Sequence, residues 1–154
     1  MRSKVAILFV MMILGAAAAQ GRQSSHTVTV AIPNVLRFRL DDRSAAGRAE
    51  VPLTIEVAGG GYRITPAGTS IEVLANGGWQ LSASYQPDGS RDGRAKLLWR
   101  TTGEWRRFTN YDRVILSGGA TRGWQQTTIS YGLDAPLPVD GTYRGVVTYT
   151  LTRP

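Results

Sequence analysis

From residue 20 onward the sequence predicts an all-β domain, an antiparallel β-sandwich of about eight strands. Three observations predict it. Apolar residues recur at period two, as on a strand with one buried face, and no stretch holds helical spacing long enough to argue a helix. The alternating runs are short and separated by clusters of Gly, Pro, Asp and Asn, which punctuate strands. The runs follow one another at the spacing of a sandwich.

The first 19 residues read separately. Arg2 and Lys4 form a positive start, residues 5–19 are an apolar run of 15, and the run ends in four alanines with small residues at 17 and 19. This is the pattern of a secretory signal peptide cleaved before Gln20. A bilayer-spanning helix needs about 20 apolar residues, and a lipoprotein would need a cysteine, of which the chain has none. The expectation is a signal peptide at 1–19 and a single domain at 20–154, exported to the periplasm, cell surface or medium, with no membrane span after cleavage. The domain is long enough to bury a core without disulfides, and its stability must come from sheet packing.

The strands follow in order. Residues 26–40 alternate through Val28, Val30 and Ile32, are interrupted at Pro33-Asn34, and continue through Leu36, Phe38 and Leu40. Proline removes a ladder donor, which suits an edge strand or a strand that switches sheets. After a polar turn at 41–48, residues 51–57 place Leu53, Ile55 and Val57 on one face. Gly59-Gly60-Gly61 turns the chain into a short strand at 62–64. Strands at 70–74 and 79–85 flank Asn76-Gly77-Gly78, a strong hairpin signal; in the second, Trp79, Leu81, Ala83 and Tyr85 share a face. Further strands are expected at 95–100, 105–109 and 114–116. The run 124–133 places Thr127, Ile129, Tyr131 and Leu133 together. The last, 142–152, places Tyr143, Val147, Tyr149 and Leu151 opposite Arg144, Val146 and three threonines. Gly78-Trp79-Gln80 and Gly123-Trp124-Gln125 echo each other as turn-to-strand openings, not as a duplicated domain.

The formal charge is +7; without Arg2 and Lys4, 16 basic residues stand against 11 acidic, a net +5, and all the basic ones but Lys96 are arginine. A basic balance admits anionic partners, but the arginines are dispersed, so no nucleic-acid partner is expected. Catalysis finds little support. His26 is the single histidine, and no nucleophile elbow accompanies it. Asp41-Asp42 reads as a turn and the other carboxylates are scattered. Asp88-Gly89-Ser90-Arg91-Asp92-Gly93 resembles the opening of a calcium loop, yet Trp99 stands where the bidentate glutamate belongs. A hairpin loop is the reading there. Gly59-Gly60-Gly61 lacks the Gly-Lys-Ser/Thr of a phosphate cradle. No metal, no cofactor and no enzymatic activity are expected.

Aromatic residues are the binding lead. Trp79 and Trp124 are read as core. Trp99 and Trp105, beside Arg106 and Arg107, are the candidate ligand-binding residues, with the mixed character that stacks on a sugar ring.

The closing run from Asp140-Gly141-Thr142-Tyr143-Arg144-Gly145 to Leu151 resembles the last strand of bacterial exported surface domains, the fimbrial subunits and spore-coat-U-type proteins. Val28 to Pro33 and the Asn76-Gly77-Gly78-Trp79 turn fit the same picture. The resemblance implies an immunoglobulin-like sandwich serving a structural, adhesion or assembly role, meeting itself or other surface proteins. The chain lacks the cysteine pair common in classical pilins, a departure that bears on chaperone-assisted polymerisation. It also suggests Tyr143 as a corner tyrosine bonded to neighbouring backbone. A glycan-binding module is the first alternative, a small secreted hydrolase the second.

Overall fold

The computed structural model describes residues 33–89 and 96–154. The expected signal peptide, His26, the first half of the 26–40 strand and residues 90–95 of the candidate calcium loop lie outside them. The described chain is all β, with no helix. Eleven strands run in order: β1 (Leu36–Leu40), β2 (Arg43–Ala45), β3 (Arg48–Ala58), β4 (Gly61–Thr65), β5 (Gly68–Ala75), β6 (Trp79–Pro87), β7 (Leu97–Arg100), β8 (Arg106–Arg107), β9 (Arg113–Gly118), β10 (Gln125–Leu133) and β11 (Gly141–Thr152). They form two antiparallel sheets over one core, ordered β2-β1-β5-β10-β7-β8 and β4-β3-β11-β6-β9.

The strand count resolves into principal and accessory strands. β1, β3, β5, β6, β7, β9, β10 and β11 alternate strictly between the sheets, four in each. β2, β4 and β8 are short returns, each adding an edge by a hairpin. β2 lies inside what reads in sequence as a polar turn. Leu40 pairs with Arg43 around Asp41 and Asp42, whose φ values of 47° and 64° are those a two-residue primed hairpin turn requires. Gly59 and Gly60, at φ 60° and 81°, close β3 onto β4 in the same way. There the triple glycine makes a tight turn with a defined geometry.

Asn76-Gly77-Gly78 corrects the hairpin expectation. β5 and β6 lie in different sheets, and the turn carries the chain across the sandwich. Asn76 ties three segments at that end. Its amide donates to the Pro33 carbonyl, and its Oδ1 accepts from the Val35 amide and from Arg153. A side chain at Gly77 would meet the Arg153 guanidinium. Turn chemistry is local and serves a crossing as well as a hairpin.

Period two is obeyed inside. Leu53, Ile55 and Val57 on β3, Leu81 and Ala83 on β6, Ile129, Tyr131 and Leu133 on β10, and Tyr143, Val147, Tyr149 and Leu151 on β11 are buried between the sheets. Tyr143 is a corner tyrosine: its hydroxyl donates to the Val139 carbonyl, four residues upstream. Thr148, on the opposite face of β11, is buried as well. β11 is the central strand of its sheet, and Thr148 lies between Glu50 of β3 and Ser84 of β6.

One polar connection crosses the core. Thr69 Oγ1 lies 2.7 Å from the Tyr131 hydroxyl, which lies 2.7 Å from the Tyr149 hydroxyl, linking β5 and β10 to β11. Burial pushes Tyr131 up to about 12 and Tyr149 well above the ordinary tyrosine value. In the unfolded chain both ionise near pH 10. The Tyr131 contribution is therefore complete below about pH 10 and lost as pH rises toward 12, at about 1.4 kcal/mol per pH unit, and that of Tyr149 is lost in the same direction. Denaturant melts at stepped alkaline pH should show this loss, with a shallower slope for Tyr131→Phe. An unchanged slope would refute the assignment.

Candidate functional site

β7 and β8 form a hairpin in which Leu98 pairs with Arg107 and Trp99 with Arg106. Paired residues share a face and neighbours take opposite faces. The register therefore splits the four sequence candidates. Trp99 turns into the core and is 7% exposed. It packs near Phe108 with ring centroids 6.3 Å apart, and Phe108 meets Tyr131 at 6.2 Å. Arg106, on the same side at the sheet edge, has its guanidinium carbon 5.8 Å from the Trp99 ring. Arg107 is ion-paired with Asp134, just past β10. Its hydrogen bond holds the Asp134 carboxyl below the usual range.

Of the two candidate tryptophans Trp105 is the exposed one, at 38%. The loop that returns β7 to β8 lays its indole on Gly132 of β10, where any side chain would come within 3.0 Å of the ring. The Arg100 guanidinium lies 4.3 Å from its centroid, a cation–π contact.

Trp124 corrects a second expectation. It stands just before β10, five residues from core Ile129, so period two points it outward. It is half-buried, with the Arg39 guanidinium 4.1 Å above its ring. Counting back from Ile129 finds this in the sequence; grouping Trp124 with its aliphatic neighbours misses it. Trp79 is core as expected, 4% exposed, its indole against Gly118.

The two Arg-covered tryptophans mark the ends of the outer face of the six-stranded sheet. Residues 124 and 132 are separated by eight residues of extended chain, roughly 26 Å at about 3.3 Å per residue. Between them the face is polar. Ser44, Arg39, Glu72 and Gln126 stand in one row. Arg39 pairs with Glu72 at 3.8 Å, and Gln126 donates to the Ser70 hydroxyl. Thr128 and Ser130 continue along β10 beside Ser70 and Arg100. Flat rings, fixed guanidiniums and hydroxyls can hold a polar surface in place. Among the described residues no group of three His, Cys, Asp or Glu could hold a metal ion.

These features define a two-sheet antiparallel β-sandwich with a polar, tryptophan-flanked outer face. No protein-family model, curated protein or solved structure matches the chain.

Proposed function

We propose that this is an exported, non-catalytic β-sandwich protein of the cell surface or periplasm that works in adhesion or assembly through the outer face of its six-stranded sheet. The observation that carries the reading is the pair of arginine-covered tryptophans, Trp105 and Trp124, at the two ends of that face. Export rests on Arg2, Lys4 and the alanine-ended apolar run of residues 5–19. The likeness to fimbrial-subunit and spore-coat-U-type domains rests on the closing strand, and the immunoglobulin-like class on the Tyr143 corner. The strict alternation of principal strands between sheets differs from the immunoglobulin order, in which consecutive strands also pair.

A glycan partner is the second reading, favoured by the indoles and the hydroxyl rows of Ser70, Thr128 and Ser130. Trp105→Ala with Trp124→Ala removes both ends of the face without entering the core. Sedimentation of the purified protein and its retardation in gels containing envelope polysaccharide distinguish the readings. Self-association lost in the double variant supports assembly; retardation lost in it supports glycan binding. If neither property depends on the two tryptophans, this face is not the contact surface.

A further inference from the structure

β8 and β9 are the edges of opposite sheets on the same side of the sandwich, and residues 108–112 carry the chain from one to the other. Phe108 seals the seam inside, its amide donating to the Leu97 carbonyl, and the Thr109 carbonyl accepts from the Tyr85 amide. Outside it lies a cleft of about 470 Å³ lined by Trp99, Arg106, Arg107, Thr109, Arg113 and Val114. Arginines from both sheets line it, Arg106 and Arg107 from one and Arg113 from the other, and no carboxylate lines the cleft.

Direct ion pairing covers only one of the three arginines. Arg107 has Asp134. Among the described residues neither Arg106 nor Arg113 has an ion pair. The acids nearest in sequence are Asp112, whose carboxylate accepts from the Ser84 hydroxyl at 2.7 Å, and Glu104, which lines an adjacent hollow with Arg106; neither forms an ion pair with Arg106 or Arg113. Gathering like charges raises the energy of the folded state, and the convergence becomes favourable when an anion enters. Arginine is suited to this, since its planar fork pairs with an oxyanion through two parallel bonds.

We infer that the β8–β9 cleft is a binding site for an acidic saccharide, its carboxylate or sulfate held between Arg106 and Arg113. Trp99, although only 7% exposed, lines the cleft beside the charges, and the cleft volume lies in the small-ligand range. A nucleic-acid backbone would need a basic stripe continuing beyond the cleft, whereas the remaining arginines are dispersed along the chain. The site lies at the sandwich seam, so it stands whether or not the outer face of the six-stranded sheet meets a partner.

Isothermal titration calorimetry of the purified protein tests it, with a galacturonate disaccharide, its neutral galactose counterpart, inorganic phosphate and a short DNA duplex as probes. The acidic disaccharide should bind saturably and the neutral one far more weakly. Arg106→Gln and Arg113→Gln should each weaken binding about tenfold, as loss of a charge-assisted bond does. Arg63→Gln, on the opposite edge strand β4, should leave it unchanged. Thermal melts should show both cleft variants as stable as the parent or slightly more so, because like-charge repulsion is relieved. No binding of the acidic disaccharide, or equal binding by the cleft variants, overturns the proposal. Phosphate binding as tightly as the disaccharide reduces the cleft to a bare oxyanion site. Tighter DNA binding lost in the same variants replaces the saccharide with a nucleic acid.

Discussion

Leu151→Ala lowers the unfolding free energy by about 2–5 kcal/mol, the usual range for emptying a packed core position, whereas Thr152→Ala leaves it nearly unchanged. Leu151 is 5% exposed and pairs with Leu81 of β6, itself fully buried. Thr152, one residue on, points to the exposed outer face. Domains of this size are stable by about 5–15 kcal/mol, and the chain has no cysteine to crosslink it, so the first loss is a large share of the total. Thr148→Ala falls between the two, because the buried Thr148 is enclosed by Glu50 and Ser84. Urea melts of the three variants should rank them Leu151, Thr148, Thr152. Equal losses at 151 and 152 would mean that β11 is buried on both faces at its end.

Gly145→Ala destabilises the protein by about 1–3 kcal/mol, the range for forcing one extra group into a packed interior. Its backbone does not need glycine, since its φ lies outside the left-handed region. By conformational entropy alone the substitution would stabilise by about 0.4–1 kcal/mol. The opposite sign follows from Tyr85. Tyr85 pairs with Val147, and its ring reaches diagonally across the inner face of β11 to fill the space at Gly145. A Cβ there would stand 2.4–2.7 Å from the Tyr85 ring and hydroxyl. Gly145 thus completes the inward series from Tyr143 to Leu151. Tyr85→Ala alone is costly, and the double variant should lose less than the two single losses combined by about 1 kcal/mol or more, as contacting sites do. Additive losses in denaturant melts would refute the steric account.

The binding residues show where sequence adjacency misleads. Trp99, Trp105, Arg106 and Arg107 look like one patch in the chain. The hairpin register sends Trp99 and Arg106 to the inner side and lays Trp105 outside on Gly132. Arg113, which completes the seam cleft, comes from the other sheet, and no local signal in the sequence joins it to Arg106.

The sequence by itself determined the all-β class, the inward alternation of β3, β6, β10 and β11, and the turns at Asp41-Asp42 and Gly59-Gly60. All of these follow from the pleat of an extended backbone and from local turn geometry, which act over a few residues. Only the tertiary structure decided which strands pair, that Asn76-Gly77-Gly78 crosses between sheets, that Thr148 is enclosed, and that Trp105 and Trp124 each lie under an arginine. Those outcomes depend on residues dozens of positions apart, as when Asn76 bonds Val35 and Arg153. Period two names the buried face of a strand; its neighbours are chosen by the packing of the whole core.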